Sequence, residues 1–283
     1  MRQLVVVRTD CHGGHCLGAL NPDTILWRLD CDGNAEPWTP DLCGVQEKLW
    51  QFQCEDLARI KDLAGDDPIT LIDLGDQTQG TRFTSAIIPG TCQDDQTEIA
   101  CWNLVPFLKM GVKALRFCTG THVHVPDSSE ARIAARLKNN WDVDIRVMHH
   151  GRVTFGQEIL DLTHHGPHGG SRDWLHGNIS TYALKDRIYR DRRAGKQPAR
   201  VYLRGHRHVF RWVTVHDTWD GVTTTHDLIT VPSQCGFGDH ARKVTEADPI
   251  IQNGLIVLEF VDGKLVKIHD FVRETDLRTE ECL

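Results

Sequence analysis

Five short apolar segments, each followed by an acidic residue or a histidine, constrain the fold of this chain more than any other feature of its sequence. The polar residues that follow the segments are Asp10 and His12, Asp76, His122 and His124, His164 and His165, and His206 and His208. Helix-like patterns separate the segments, which favours an α/β fold with strands covered on both faces. Such folds place their chemistry beyond the carboxyl ends of the strands. We therefore expect these side chains to meet at one end of a single sheet.

Apolar periodicity predicts the secondary structure in more detail. Strands are expected at 3–9, 68–75, 114–119, 143–148, 158–163, 201–204 and 227–231, followed by a hairpin of 254–260 and 264–271. Helices are expected at 45–63, 95–110, 129–138 and 179–194, and Pro106 should kink or shorten the second. The segment 11–44, rich in Gly, Pro, Asp and Cys, is expected to be irregular. No repeat or linker divides the chain, so we expect one domain spanning residues 1–283.

Composition and charge exclude several classes of function. The 283 residues are 40% hydrophobic and 25% charged, as in ordinary globular domains. No apolar run approaches the roughly 18 residues of a membrane helix, and the run at residues 4–7 is too short for an export signal. We therefore expect a cytoplasmic protein with no membrane partner. A net charge of −7 gives no basic field that would hold nucleic acid by charge alone, but it does not exclude an anionic ligand at one site.

The ten cysteines raise the question of disulfides or a zinc ribbon. No two of them form a Cys-x-x-Cys half-site, and a reducing compartment disfavours disulfides. We therefore expect most of the cysteines to be buried thiols that pack as small hydrophobic groups.

The spacing within the motifs indicates metal binding. Residues two apart in an extended chain lie on the same side, so Asp10 and His12 can reach one cation. The same holds for His206 and His208, although two cations about 3.5–4 Å apart would also divide that pair. Glycine before Asp76 and before His206 lets the backbone turn sharply where a strand ends. Mixed carboxylate and imidazole ligation without thiolates suits Mn, Fe or Zn rather than a Cys-rich structural zinc site.

In this order the motifs resemble those of the calcineurin-like metallophosphoesterases: Asp-x-His, Gly-Asp, Gly-Asn-His, a lone His, and Gly-His-x-His. The matching residues are Asp10-Cys11-His12, Gly75-Asp76, Gly120-Thr121-His122, Thr163-His164 and Gly205-His206-Arg207-His208. The resemblance covers about residues 5 to 210, and the last motif is its most specific part. It implies a β-sandwich flanked by helices, in a four-layer αββα order.

The resemblance also implies two divalent metal ions, with Mn expected first and Fe or Zn as alternatives. The implied ligands form three sets: Asp10, His12 and His208 for one ion, His164 and His206 for the other, and Asp76 as a bridge between them.

One position departs from the family pattern, because Thr121 stands where the family has an asparagine ligand. Either the second ion has one ligand fewer, or His124 replaces the asparagine. We favour His124 as a metal ligand, which leaves His122 beside the substrate as the catalytic residue. The runs Gly120-Thr121-x-x-His124-Val125 and His164-His165-Gly166-Pro167 resemble those of phage-borne members of the family.

The activity implied by the resemblance is the hydrolysis of a phosphate ester by a metal-bridged hydroxide. His122 would stabilise the growing charge or protonate the leaving oxygen. Arg207, Arg172 and His168 are candidates for phosphate contacts, and the alternative for each is a solvated side chain. His15 is a candidate for the surroundings of the metals, with a plain surface histidine as the alternative.

The substrate class follows from what the motifs lack. The protein serine/threonine phosphatases of the superfamily carry Asp-Arg-Gly after Gly-Asp and Glu after Gly-Asn-His, whereas this chain has Gln77-Thr78-Gln79-Gly80 and Val123. We therefore expect a phosphodiesterase or nuclease, with nucleic acid or nucleotides as substrates. A phosphomonoesterase acting on nucleotides or small molecules is the alternative.

Two rivals come from other classes. A catalytically silent scaffold of the same fold would bind partners without turnover, but decay of function should erode ligands that are intact here. A mononuclear zinc hydrolase has little support, because the chain contains no His-Glu-x-x-His.

Overall fold

The computed structural model describes residues 1–124, 129–167, 173–236, 249–278 and 281, and does not describe the side chains of 173–176. Within them the chain is a mixed α/β structure, so the predicted class is confirmed. Its strands are β1 (Arg2–Arg8), β2 (Leu26–Leu29), β3 (Ala35–Trp38), β4 (Ile69–Asp73), β5 (Ala114–Cys118), β6 (Asp144–Met148), β7 (Gly151–Phe155), β8 (Glu158–Thr163), β9 (Val201–Arg204), β10 (Arg211–Trp219), β11 (Val222–Thr230), β12 (Ile250–Val261) and β13 (Lys264–Asp276). Its helices are α1 (Gly44–Ala64), α2 (Gln93–Lys109), α3 (Ser129–Asn140) and α4 (Asp173–Arg193).

The strands form two large sheets and one small one. The first sheet has the order β13-β12-β1-β4-β5-β6, the second has the order β10-β11-β9-β8-β7, and β2 and β3 pair separately. Strands β1, β4, β5 and β6 run parallel in the first sheet, as do β8, β9 and β11 in the second. The expectation that all five ligand-bearing strands share one sheet is therefore wrong, because β1, β4 and β5 lie in one sheet and β8 and β9 in the other.

The first strand explains how both faces of the first sheet are covered. Leu4 and Val6 pack in a core with residues of α1, α2 and α3, whereas Val5 and Val7 pack in a core shared with the second sheet. This alternation follows from the two-residue period of a strand, and burial on both sides explains why the run is apolar throughout. A third core joins the second sheet to α4, through Leu184 and its neighbours.

Most predicted elements are present, with four strands missed. The hairpin β2–β3 lies inside the segment expected to be irregular, and β7 and β10 were not predicted. Helix α2 continues past Pro106 to Lys109. Proline removes the N–H that would bond the carbonyl four residues earlier. That carbonyl, of Trp102, instead accepts a hydrogen bond from Asn21 Nδ2 at 2.8 Å, so the helix continues without the lost bond.

Two further expectations concern membranes and cysteines. Among the described residues, no helix has the length and apolar character needed to cross a membrane. None of the nine described cysteines forms a disulfide; four are buried, two are half-buried and three are exposed. The prediction that most cysteines are buried is therefore wrong for this part of the chain, where Cys31, Cys54 and Cys92 sit on the surface.

Candidate metal centre

Backbone hydrogen bonds join the loops that follow the ligand-bearing strands. In the first sheet, Asp10 N donates to Gly75 O and His12 N donates to Asp76 O, each at 3.0 Å. In the second sheet, Gly205 N donates to His164 O at 2.9 Å. The two sheets meet where His206 N donates to the Asp10 carboxylate at 2.8 Å. The loops therefore converge on one place from both sheets.

These loops hold an unusual backbone conformation at the predicted ligands. Seven described residues other than glycine have positive φ, and five of them are Asp10, His12, Asp76, His206 and His208. The other two lie in hairpin turns. Positive φ is rare for residues with a Cβ and is concentrated at functional sites, where the surrounding structure compensates for the strain. Here the loop hydrogen bonds compensate for the strain. The unusual backbone conformation turns the side chains of the two sheets toward each other.

Glycine is required where the two loops of the first sheet touch. A methyl group on Gly120 would collide with the carboxylate of Asp76. Because glycine has no Cβ, the β5 loop can instead place Thr121 N 2.5 Å from Asp76 Oδ1, where it donates a hydrogen bond.

Asp10, His12 and His208 form the first group of potential ligands, with donor atoms within 4.8 Å of one another. Asp10 is fully buried and its Oδ1 has no hydrogen-bond partner, although it lies 3.3 Å from His208 Nε2. His12 Nε2 lies 3.2 Å from His208 Nε2, while His12 Nδ1 contacts Gln79 Oε1 at 3.1 Å. A hydrogen on Nδ1 leaves Nε2 as a bare lone pair, directed at another nitrogen. A cation between these atoms would satisfy all three, so the group fits a metal.

Asp10 also belongs to a second group, with Asp76 and His164. His164 Nδ1 contacts Leu74 O at 2.9 Å, so its Nε2 is the free ligand atom, and it lies 3.1 Å from Asp76 Oδ2. All three side chains are almost completely buried. Two buried carboxylates side by side require positive charge nearby, because charges without partners are costly away from water.

The third group consists of His164, His165 and His206. Thr121 Oγ1 lies 3.1 Å from His164 Nε2 and 3.1 Å from His206 Nδ1, between the two imidazoles. Consecutive groups share a residue, so the potential ligands form one continuous cluster. The sequence indicated His165 only as part of the run His164-His165-Gly166-Pro167, and not as a metal ligand. Its position next to His164 was the available signal. Two adjacent histidines do not reveal which ring faces the cluster.

The electrostatics of the cluster favour positive charge at its centre. Burial opposes ionisation of Asp10, but the neighbouring His164 and His208 outweigh it and hold the pKa of Asp10 well below its usual value. Burial likewise works against a charged His164, yet Asp10 and Asp76 raise its pKa to about 9. Burial lowers the pKa of His206 to about 4, which keeps its imidazole neutral and able to bind a metal.

Three predicted residues, His122, His124 and Arg207, are described but belong to none of these groups. His124 is beside His12, at 4.6 Å between ring centroids, and its Nδ1 contacts Gln79 O at 2.8 Å. The structure therefore brings His124 to the His12 side and does not group it with His164 and His206, where a ligand replacing the asparagine was expected. His122 is exposed. Arg207 is half-buried, between His206 and His208 in sequence.

Three other predicted residues remain, namely His15, His168 and Arg172. His15 is buried near the centre, with its ring 6.4 Å from that of His12. His168 and Arg172 lie outside the described residues.

A buried ion pair lies beneath each half of the centre, and neither was predicted. Arg8 Nε lies 3.0 Å from Asp73 Oδ2, and both side chains are completely buried. Arg204 Nη2 lies 2.6 Å from Asp161 Oδ1, and these side chains are 2% and 7% exposed. His150 joins the second pair through Nε2, 2.8 Å from Asp161 Oδ2.

The two pairs occupy equivalent places. Each arginine stands two residues before a ligand (Asp10 or His206), and each aspartate stands three residues before one (Asp76 or His164). Each pair also spans neighbouring parallel strands, β1 with β4 and β9 with β8. The ends of the ligand-bearing strands are thus tied together in the same way in both sheets.

Comparisons with known proteins add no name to this geometry. A scan against protein-family models and a search of curated proteins each found no match. The assignment of function therefore depends on the site itself.

Proposed function

We propose that this chain is a dinuclear metal-dependent phosphoesterase of the calcineurin-like type, acting as a phosphodiesterase or nuclease. One observation carries the proposal: the six ligands predicted from separate motifs, Asp10, His12, Asp76, His164, His206 and His208, all belong to one continuous cluster of potential metal-binding groups. These six residues come from four loops and two sheets, and they share overlapping groups of donor atoms.

The donor set supports two ions. Asp10, His12 and His208 would hold one, and His164 and His206 would hold the other. Asp10 and Asp76 lie in the group between them. Bound divalent ions at such a site lower the pKa of a coordinated water and neutralise charge on phosphoryl oxygens. Mixed oxygen and nitrogen donors suit Mn, Fe or Zn.

The surroundings supply the rest of the proposed chemistry. The buried ligands exclude water from one side of the site, while His122 is exposed and can meet a substrate from the solvent side. In the proposal His122 protonates the leaving oxygen or stabilises charge on the phosphate. Arg207, half-buried and flanked by two ligands, would contact a phosphate oxygen.

The layers also support this type of fold. Helices α1, α2 and α3 pack on the first sheet, α4 packs on the second, and a shared core lies between the sheets. We propose that this arrangement is the four-layer αββα sandwich of the metallophosphoesterases.

Hydrolysis of bis-p-nitrophenyl phosphate with Mn²⁺ tests the function directly. We expect turnover that EDTA abolishes and that exceeds the turnover of p-nitrophenyl phosphate. Faster hydrolysis of the monoester would favour a phosphomonoesterase instead. Absence of turnover on either ester, in protein that binds two metal ions, would favour the silent scaffold.

Asp76→Asn provides the matched variant. It keeps the shape of a buried side chain while removing its charge, so activity should fall by at least about 100-fold. Asp270→Asn, at an exposed carboxylate of β13, is the control and should leave activity unchanged.

A further inference from the structure

The third potential ligand group contains only imidazoles. The donor atoms of His164, His165 and His206 lie within 4.8 Å of one another. Ring centroids are 5.0 Å apart for His164 and His165, 4.5 Å for His165 and His206, and 5.1 Å for His164 and His206. The three rings therefore surround a common space.

We propose that His165 is a ligand of the second metal ion and that this ion's site selects Zn²⁺ over Mn²⁺ more strongly than the first site does. The inference rests on the proposed metal centre and adds a ligand to it. It concerns the position left open by Thr121, whose hydroxyl stands where an asparagine amide was expected.

Thr121 and His124 both fit that position less well than His165. A neutral hydroxyl is a weak donor to a divalent ion, and Thr121 Oγ1 already contacts two imidazole nitrogens at 3.1 Å. His124 lies beside His12, with Nδ1 directed at Gln79 O. His165 instead offers a nitrogen within the group itself.

The backbone holds His165 in place although its side chain is exposed. A methyl group on Gly166 would lie 3.0 Å from Cβ of Arg204, so the chain directly after His165 packs closely against that residue. Arg204 is in turn held by Asp161. The backbone beside His165 therefore rests against a residue that a buried ion pair holds in place.

The difference in metal preference follows from the donor atoms. The first group contributes a buried carboxylate, and carboxylate oxygen suits Mn²⁺. The third group contributes three imidazole nitrogens, and imidazole suits Zn²⁺. Sites with mixed oxygen and nitrogen donors in general bind Zn²⁺ more tightly than Mn²⁺. The test therefore compares the Zn/Mn affinity ratio of the two sites, and not which metal each site prefers.

Equilibrium dialysis with elemental analysis tests the inference without measuring activity. Metal-free protein is titrated with Zn²⁺ alone and with Mn²⁺ alone, using the wild type, His165→Asn and His165→Gln. His216→Asn, at an exposed histidine of β10 outside the cluster, is the matched control. Thermal unfolding in EDTA checks that every variant is folded.

We expect the wild type and His216→Asn to bind two equivalents of Zn²⁺. In both His165 variants the second equivalent should bind at least about tenfold more weakly, because changes even outside the ligand set cost metal sites 10–100-fold. In these variants the Zn/Mn affinity ratio of the second equivalent should fall toward the Zn/Mn affinity ratio of the first equivalent.

Two results would overturn the inference, and they differ. If His165→Asn and His165→Gln bind two equivalents with wild-type affinities and ratios, His165 is not a ligand, while the metal centre stands. If the wild type binds no metal, the proposed function and this inference fail together.

Discussion

The two halves of the candidate centre share a supporting structure but differ in their donor atoms. On the first sheet, Asp10 and Asp76 bring two buried carboxylates, above an ion pair that is completely buried. On the second sheet, His164 and His206 bring imidazole nitrogens, above an ion pair that His150 connects to the surface. His150 is 42% exposed.

Different residues therefore carry the positioning and the proposed chemistry of each half. An arginine and an aspartate on adjacent parallel strands hold the strand ends in both halves, so position does not depend on which ligand follows. The candidate ligands determine the local charge, and in the proposed metal centre they would determine the ion that each half prefers. Four predictions test this comparison, in order of decreasing effect.

The largest effect is expected from Arg8→Met. Removing one partner leaves the Asp73 carboxylate buried beside no cation, which costs about 3–5 kcal/mol of unfolding free energy. Arg204→Met should cost less, because His150 remains 2.8 Å from Asp161. Urea unfolding measures both.

Arg146→Met is the control for these variants, since its side chain is 68% exposed and surface changes cost within about 0.5 kcal/mol. Equal losses for Arg8→Met and Arg204→Met would show that His150 does not compensate, and the two halves would then be energetically alike.

Asp10→Asn and His206→Asn should differ in metal binding. Asp10 belongs to two groups, so its loss should weaken both ions and lower kcat on bis-p-nitrophenyl phosphate by about 10²–10³-fold. His206→Asn should weaken one ion only. Elemental analysis beside kinetics checks this, and loss of a single ion from Asp10→Asn would contradict the shared role.

Metal removal should lower the thermal stability by a moderate amount. A ligand at 100 times its Kd stabilises the folded state by about 2.7 kcal/mol, which corresponds to about 5–10 °C in a chain of this size. Calorimetry with and without EDTA measures the shift. Asp76→Asn should show a smaller shift than the wild type; an unchanged shift would mean that Asp76 does not hold a metal.

The smallest expected effect is the loss of unfolding free energy in acid that depends on Asp161. Burial opposes ionisation of Asp161, but His150 and Arg204 outweigh it and lower its pKa. A lowered folded-state pKa gives stability that is present above the unfolded value, near pH 4, and is lost as the pH falls further. Between about pH 5 and pH 3 the wild type should therefore lose more unfolding free energy than Asp161→Asn in urea unfolding. Parallel losses would exclude a stabilising charge on Asp161.

The sequence predicted which side chains lie together better than it predicted their arrangement. Asp10, His12 and His208 were assigned to one ion, and the structure groups the same three. His124 was assigned to the other ion but lies beside His12. The reason is local: His124 follows Thr121 in a turn closed by His124 N donating to Thr121 O at 2.8 Å, and no residue pattern gives the direction in which such a turn points.

The same limit applies to the sheets. Apolar runs predicted β1, β4, β5, β8 and β9, because burial on both faces requires continuous hydrophobic residues. They did not predict that these strands divide between two sheets, since pairing is a property of residues distant in sequence.

The sequence alone determined the residue types of the candidate metal centre and the strands that carry them. Motif spacing and strand periodicity are local properties, so they can be read along the chain. Only the tertiary structure decided that Arg8 and Arg204 lie buried against aspartates, that five ligands adopt positive φ, and that His165 turns toward His206. Each of these depends on contacts between loops of different strands, and the free energy that selects them arises only when both sheets have packed.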